Sequence, residues 1–259
     1  MDSLVVPISY WSYWANVVYI LGMFGYLTID TINYIFKSFN ESFSCFIYVF
    51  LAILFVIDAA LYTIDWYMYA IKFRQNKNEP IEYEAELVAC LFQNLGSYFY
   101  LISALLAFNK SRFVKEILLY NLIGINAFLM ESGFIFLGWR ISFRRKPSTN
   151  PKRGCVPQDV YMWAFIMYTV ASLIYLCATT LAYRIYTTLN IVNPNGVLIL
   201  QMLGDLVYLF DAYLYYECWK RDKQDYDMNT ERQRLIALNL VKQLATENLN
   251  YDIKTDDNE

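Results

Sequence analysis

Asp58-Ala-Ala-Leu-Tyr-Thr-Ile-Asp-Trp66, Glu131-Ser-Gly-Phe-Ile-Phe-Leu-Gly-Trp139 and Asp211-Ala-Tyr-Leu-Tyr-Tyr-Glu-Cys-Trp219 share one layout: an acid, a small residue, and a Trp eight positions after the acid. Three residues before each acid stands an aromatic, Phe55, Phe128 or Tyr208, and seven before it stands Leu51, Gly124 or Gly204. Three other apolar stretches carry a second pattern, in which a small residue precedes Tyr-Leu by four and an aromatic follows the Tyr by eight. The instances are Gly22, Tyr26-Leu27 and Tyr34; Gly96, Tyr100-Leu101 and Phe108; Ala171, Tyr175-Leu176 and Tyr183. Tyr26, Tyr100 and Tyr175 step by 74 and 75, and Phe55, Phe128 and Tyr208 by 73 and 80. Six stretches in register at one period predict three tandem two-helix units.

The stretches are long enough to cross a bilayer, which takes about 20 apolar helical residues. They run Trp11 to Phe36, Cys45 to Ile71, Leu87 to Phe108, Ile117 to Trp139, Val160 to Tyr183 and Val197 to Trp219. Of the 259 residues 58% are hydrophobic and 17% charged, against about 45–50% and 25% in a soluble domain. The expected fold class is therefore an all-α integral membrane protein with six transmembrane helices in residues 1–219 and a soluble tail in 220–259. Its repeats would cover about 11–71, 87–139 and 160–219. Two helices per unit give every unit the same orientation, so three units are expected to close into a pseudo-threefold bundle. The small residues Gly22, Gly96, Ala171, Gly124 and Gly204 would let the helices approach closely. Met1 to Tyr10 has no basic residue and no small-residue cleavage site, so the first helix is expected to stay as an anchor.

Lys and Arg are divided unevenly between the two sides of such a topology. Sixteen fall in the loops after Ile71 and Trp139 and in the tail, and five on the opposite side, which places both termini in the cytoplasm of a plasma or endomembrane protein. Two sequons, Asn40-Glu41-Ser42 and Asn109-Lys110-Ser111, fall on the opposite side.

Composition excludes much chemistry. The chain has no histidine, so it cannot run a Ser-His or Cys-His nucleophile, ligate haem through imidazole or use His as a proton switch. The five cysteines, Cys45, Cys90, Cys155, Cys177 and Cys218, form no C-x-x-C pair, against zinc or a redox dithiol. A net charge of -3 gives no basic field for nucleic acid. No lysine sits within a span to form a retinal Schiff base. No cofactor is expected, and no enzymatic activity.

The run Asn94-Leu-Gly-Ser-Tyr-Phe-Tyr-Leu101, Gly-Ser followed by aromatic residues and Leu, resembles the YrhK-like membrane helices. The resemblance covers single helices and implies no activity, since that family has no established function. Mitochondrial carriers also have three pairs of helices, but their Pro-x-acidic-x-x-basic signature is absent here.

Asp58, Glu131 and Asp211 are the candidate intramembrane polar site. Each lies eight residues, about 12 Å along a helix, from a Trp that marks the cytoplasmic interface. Seven residues turn a helix by about 700°, so each acid shares a stripe with the residue seven before it and is expected to face packed helices. No Lys or Arg lies at that depth, leaving two readings: protonated acids that bond helices together, or a carboxylate ring in a proton or cation pathway. Asp30 and Asp205 are further acids expected at depth, and Asp65 and Glu217 are expected at the interface. In the tail, Thr230 with Gln233 predicts a capping box ahead of a short amphipathic helix at Leu235, Ile236, Leu238, Val241 and Leu244, which would meet the membrane or a protein partner. Asp252 to Glu259 is expected to be disordered. These features together predict a non-enzymatic structural or accessory membrane subunit, with a proton or cation channel as the alternative.

Overall fold

The computed structural model describes residues 9–36, 40–74, 80–145, 160–189 and 195–256. Among these the chain is all-helical: α1 Ser9–Ile35, α2 Glu41–Arg74, α3 Pro80–Leu106, α4 Lys110–Arg145, α5 Val160–Leu189 and α6 Asn195–Asp256, with a 3₁₀ turn at Ala107–Asn109. The helix starts follow local chemistry. Asn40 Oδ1 accepts the free N–H groups of Ser42 and Phe43 at 3.1 and 3.3 Å and caps α2. Pro80 opens α3, where its missing N–H costs nothing.

Five uninterrupted helical stretches are long and apolar enough to cross a membrane: Tyr10–Ile35, Glu41–Met68, Glu84–Gly138, Val160–Leu189 and Asn195–Arg221. Six separate ones were expected. The difference lies between Phe108 and Ile117, where the expected polar loop instead keeps helical hydrogen bonding through the 3₁₀ turn, so α3 and α4 form one stretch of 55 residues. That stretch is not straight. Phe113 leaves the helical region with φ -119° and ψ 26°, and α4 runs back along α3. Phe92 stacks on Phe134, Phe99 on Tyr120 and Tyr100 on Phe128 with ring centroids 5.7, 5.8 and 5.7 Å apart, and Ser103 Oγ donates to the Ile117 carbonyl at 3.2 Å.

Contacts divide the chain into Met1–Cys218 and Trp219–Glu259. In the second unit two expectations fail. Thr230 lies inside α6 and starts no separate helix, and helix continues over residues 252–256 of the segment expected to be disordered. Residues 257–259 lie outside the described residues, as do Ser148 and Cys155. Within this unit Lys223 Nζ sits 5.5 Å from the Trp219 ring centroid, and Leu235, Ile236 and Leu238 are exposed.

In Met1–Cys218 the usual distribution of polarity is inverted. Leu21, Phe24, Phe46, Phe50, Leu91, Leu105, Leu173 and Leu206 point outward, each more than half or nearly half exposed, whereas Asp30, Asp58, Glu131, Asp205 and Asp211 are all buried. A surface of this kind suits hydrocarbon rather than water as the solvent. Hydrophobic burial from water therefore contributes little to holding the helices together, and close packing and hydrogen bonds must do it.

The close packing uses the small residues. A Cβ on Gly96 would sit 2.7 Å from the Phe128 ring, one on Gly124 would sit 2.7 Å from Tyr100 and 3.3 Å from the Gly96 carbonyl, and one on Gly204 would sit 2.5 Å from Tyr175. Gly22 faces Phe55 in the same manner at 3.3 Å, and Ala171 is fully buried in one cluster with Tyr208. One aromatic pairing recurs in each helix pair: Tyr26 with Phe55 across α1 and α2, Tyr100 with Phe128 across α3 and α4, and Tyr175 with Tyr208 across α5 and α6, at 5.5, 5.7 and 5.7 Å. Phe55, Phe128 and Tyr208 meet in a single core with Tyr19, Met23 and Tyr168.

Candidate functional site

The three acids of the repeated motif stand on α2, α4 and α6 and are 2%, 4% and 0% exposed, facing packed helices as expected. Glu131 lies close enough to act electrostatically on both Asp58 and Asp211. Each takes a hydrogen bond from a helix of the next pair. Gln93 Nε2 on α3 donates to Asp58 Oδ2 on α2 at 3.4 Å, Tyr168 OH on α5 donates to Glu131 Oε2 on α4 at 2.6 Å, and Tyr19 OH on α1 donates to Asp211 Oδ2 on α6 at 3.0 Å. The last bond returns from the end of the bundle to its beginning, so the three bonds form a closed cycle.

The donors were not singled out from the sequence, although a signal was present. Tyr19, Gln93 and Tyr168 each stand seven residues before Tyr26, Tyr100 and Tyr175 and are spaced by 74 and 75, so they occupy one stripe of their helices. The residues that follow two of these donors in sequence reinforce the same seams. Asn94 Nδ2 donates to Thr63 Oγ1 at 2.8 Å and to the Ala59 carbonyl at 3.4 Å, and Thr169 Oγ1 and Ser132 Oγ share a hydrogen bond of 2.7 Å.

Not every polar requirement is met by protein groups. Asp58 Oδ1 and Asp211 Oδ1 are buried and have no hydrogen-bond partner. No lysine or arginine contacts the acids among the described residues, and no group of three or more His, Cys, Asp or Glu side chains there is arranged to hold a metal ion. The arrangement can therefore accept hydrogen bonds, hold protons or admit a water, and supplies no nucleophile paired with a base.

Asp65, expected to reach interfacial water, is partly exposed. Asp30 and Asp205, expected at depth, are 4% and 0% exposed and take hydrogen bonds from Tyr48 OH and Tyr175 OH.

At the far end of the bundle the two sequons converge. Glu41 and Lys110, the middle residues of the two, form an ion pair of 3.7 Å. They line a pocket of about 380 Å³ with Ser42, Cys45, Ala107, Phe108, Ser111 and Val114. Comparison with protein-family models, curated proteins and solved structures gives no match, so nothing from a relative bears on the carboxyl cycle or on the resemblance to YrhK-like helices.

Proposed function

We propose that the chain is a multi-pass membrane protein with no catalytic activity, serving as a structural or accessory subunit whose bundle is fastened from within by its three motif acids. The observation that carries this reading is the closed donor cycle: Tyr19 to Asp211, Gln93 to Asp58 and Tyr168 to Glu131. Each bond joins one helix pair to the next, which is what three tandem two-helix units around an axis along the membrane normal require. The recurring pairs Tyr26 with Phe55, Tyr100 with Phe128 and Tyr175 with Tyr208 support the same three-unit reading.

Six crossings follow. A straight helix of the 55 residues Glu84–Gly138 would measure about 82 Å against about 30 Å of hydrocarbon, and the reversal at Phe113 divides it into two. The uneven distribution of basic residues then supports cytoplasmic termini in a plasma or endomembrane. The lipid bilayer is the first partner, and the exposed Leu235, Ile236 and Leu238 support a protein partner for the tail.

The acids in this role are protonated and serve as hydrogen-bond partners, because an unpaired carboxylate in hydrocarbon is costly and no cation is at hand. The alternative, a proton or cation channel through the carboxyl ring, is favoured by the partnerless Asp58 Oδ1 and Asp211 Oδ1. Asp58→Asn, Glu131→Gln and Asp211→Asn together separate the two in proteoliposomes. The structural role predicts a folded protein and no flux in the parent. A cation or proton flux in the parent that disappears in the triple variant establishes the channel instead.

A further inference from the structure

Between Leu119 and Leu137 the outward side of α4 is apolar except at one point. Leu119, Met130, Phe136 and Leu137 are exposed, and Gly133 is exposed with nothing within 4 Å of where its Cβ would stand. Asn126 is exposed among them. It lies thirteen residues from the reversal at Phe113 and thirteen from Trp139, about 20 Å along the helix from each, which is the middle of the crossing. Its Nδ2 donates to the Leu122 carbonyl at 2.7 Å, and that is the only hydrogen bond of the amide among the described residues. A primary amide has two N–H donors and an acceptor oxygen. One N–H and Oδ1 are therefore left on a surface where hydrocarbon offers them no partner.

Leu119, Asn126 and Gly133 follow one another at steps of seven, and Ile123, Met130 and Leu137 follow at the same step four residues on. The alternation of four and three puts these six positions on one seam of the helix, the spacing with which two helices pack side by side. A polar amide inside such a seam fixes which helices pair and in what register. The occupant that suits this amide best is another of its kind. Two copies of the chain inserted in the same sense, and related by a two-fold axis along the membrane normal, carry Asn126 at one depth, so each amide offers an N–H and an oxygen to its twin. A helix of a different protein would need a polar group of its own at that depth, whereas a second copy has one already. We propose that the outward seam of α4 is the interface of a homodimer, held at its centre by the Asn126 side chains of two copies. The dimer rests on the membrane reading above, since water would satisfy the amide of a soluble protein, and it uses none of the carboxyls inside the bundle.

Energy transfer between full chains carrying a donor or an acceptor fluorophore after Glu259, mixed in lipid vesicles and diluted stepwise with lipid, tests the interface. Transfer in the parent is expected to fall along a monomer–dimer curve. Asn126→Leu suits a surface facing hydrocarbon and should leave the bundle folded, as circular dichroism will report, yet it is expected to need about tenfold more protein per lipid for the same transfer. Asn126→Ala removes the amide equally and serves if Asn126→Leu does not fold. Asn126→Gln keeps an amide and should stay close to the parent. Parent chains that remain in the vesicles through an alkaline carbonate wash but show no transfer at any dilution overturn the dimer, and so does a folded Asn126→Leu that pairs as tightly as the parent. A parent washed out of the vesicles overturns the membrane reading itself, and the dimer with it.

Discussion

A carboxyl buried among apolar helices has to find a donor or carry a proton, and Asp211 does so through Tyr19, a residue 192 positions away in the chain. Phenols suit this work because they bury a large apolar ring and still offer one hydroxyl at its edge. The glycines are the other half of the packing, since the rings need somewhere to sit. Gly124→Ala puts a methyl 2.7 Å from Tyr100 and close to the Gly96 carbonyl, whereas Gly133→Ala meets nothing within 4 Å. Unfolding of the purified protein in micelles should show Gly124→Ala destabilised by about 1–3 kcal/mol and Gly133→Ala within about 0.5 kcal/mol of the parent. Equal effects at the two sites would mean that the close approach carries no energy. The acids were legible in the sequence because a charge stands out in an apolar stretch. Tyr19 and Tyr168 were not, because two phenols among 24 tyrosines carry no contrast and only the 74- and 75-residue spacing marks them.

At the scale of helices, sequence periodicity located the apolar stretches but not where the helices end. The region from Phe108 to Ile117 contains Asn109, Lys110, Ser111 and Arg112, which read as a loop. The backbone turns there within continuous helical bonding, using one 3₁₀ turn and one non-helical residue, Phe113. Polarity reports where a chain meets water and says little about whether its backbone stays helical. Thr230 makes the same point from the other direction, since a capping sequence inside a helix that does not end there caps nothing. Thr230→Ala distinguishes the cases by sign. In a helix interior the change should raise helix stability by a few tenths of a kcal/mol. At a cap it would cost about 1 kcal/mol. Thermal melting followed by circular dichroism at the helical band is the measurement, and a clear loss would restore a separate tail helix.

For the whole molecule the sequence offers a repeated spacing of motifs but not how the helices meet, because that depends on which side chains lie across each seam. Those meetings are the Tyr19, Gln93 and Tyr168 hydrogen bonds. Orientation in the membrane rests on charge alone, with 16 basic residues against 5. Ser148→Cys and Leu240→Cys should react with a membrane-impermeant thiol reagent only after cells are opened. Labelling of the two from opposite sides would contradict an even number of crossings between them.

The central claim, that bonds between helix pairs close the bundle on itself, is tested most directly by a double-mutant cycle across its first and last helices. Tyr19→Phe, Asp211→Leu and the pair of substitutions together are compared in unfolding measurements in micelles, with Tyr168→Phe and Glu131→Leu as the matching cycle across α4 and α5. The account predicts favourable coupling of about 0.6 kcal/mol, and no more than about 1.7, at both seams. Coupling across α4 and α5 with none between Tyr19 and Asp211 would contradict it, for the helices would then form an open row rather than a ring.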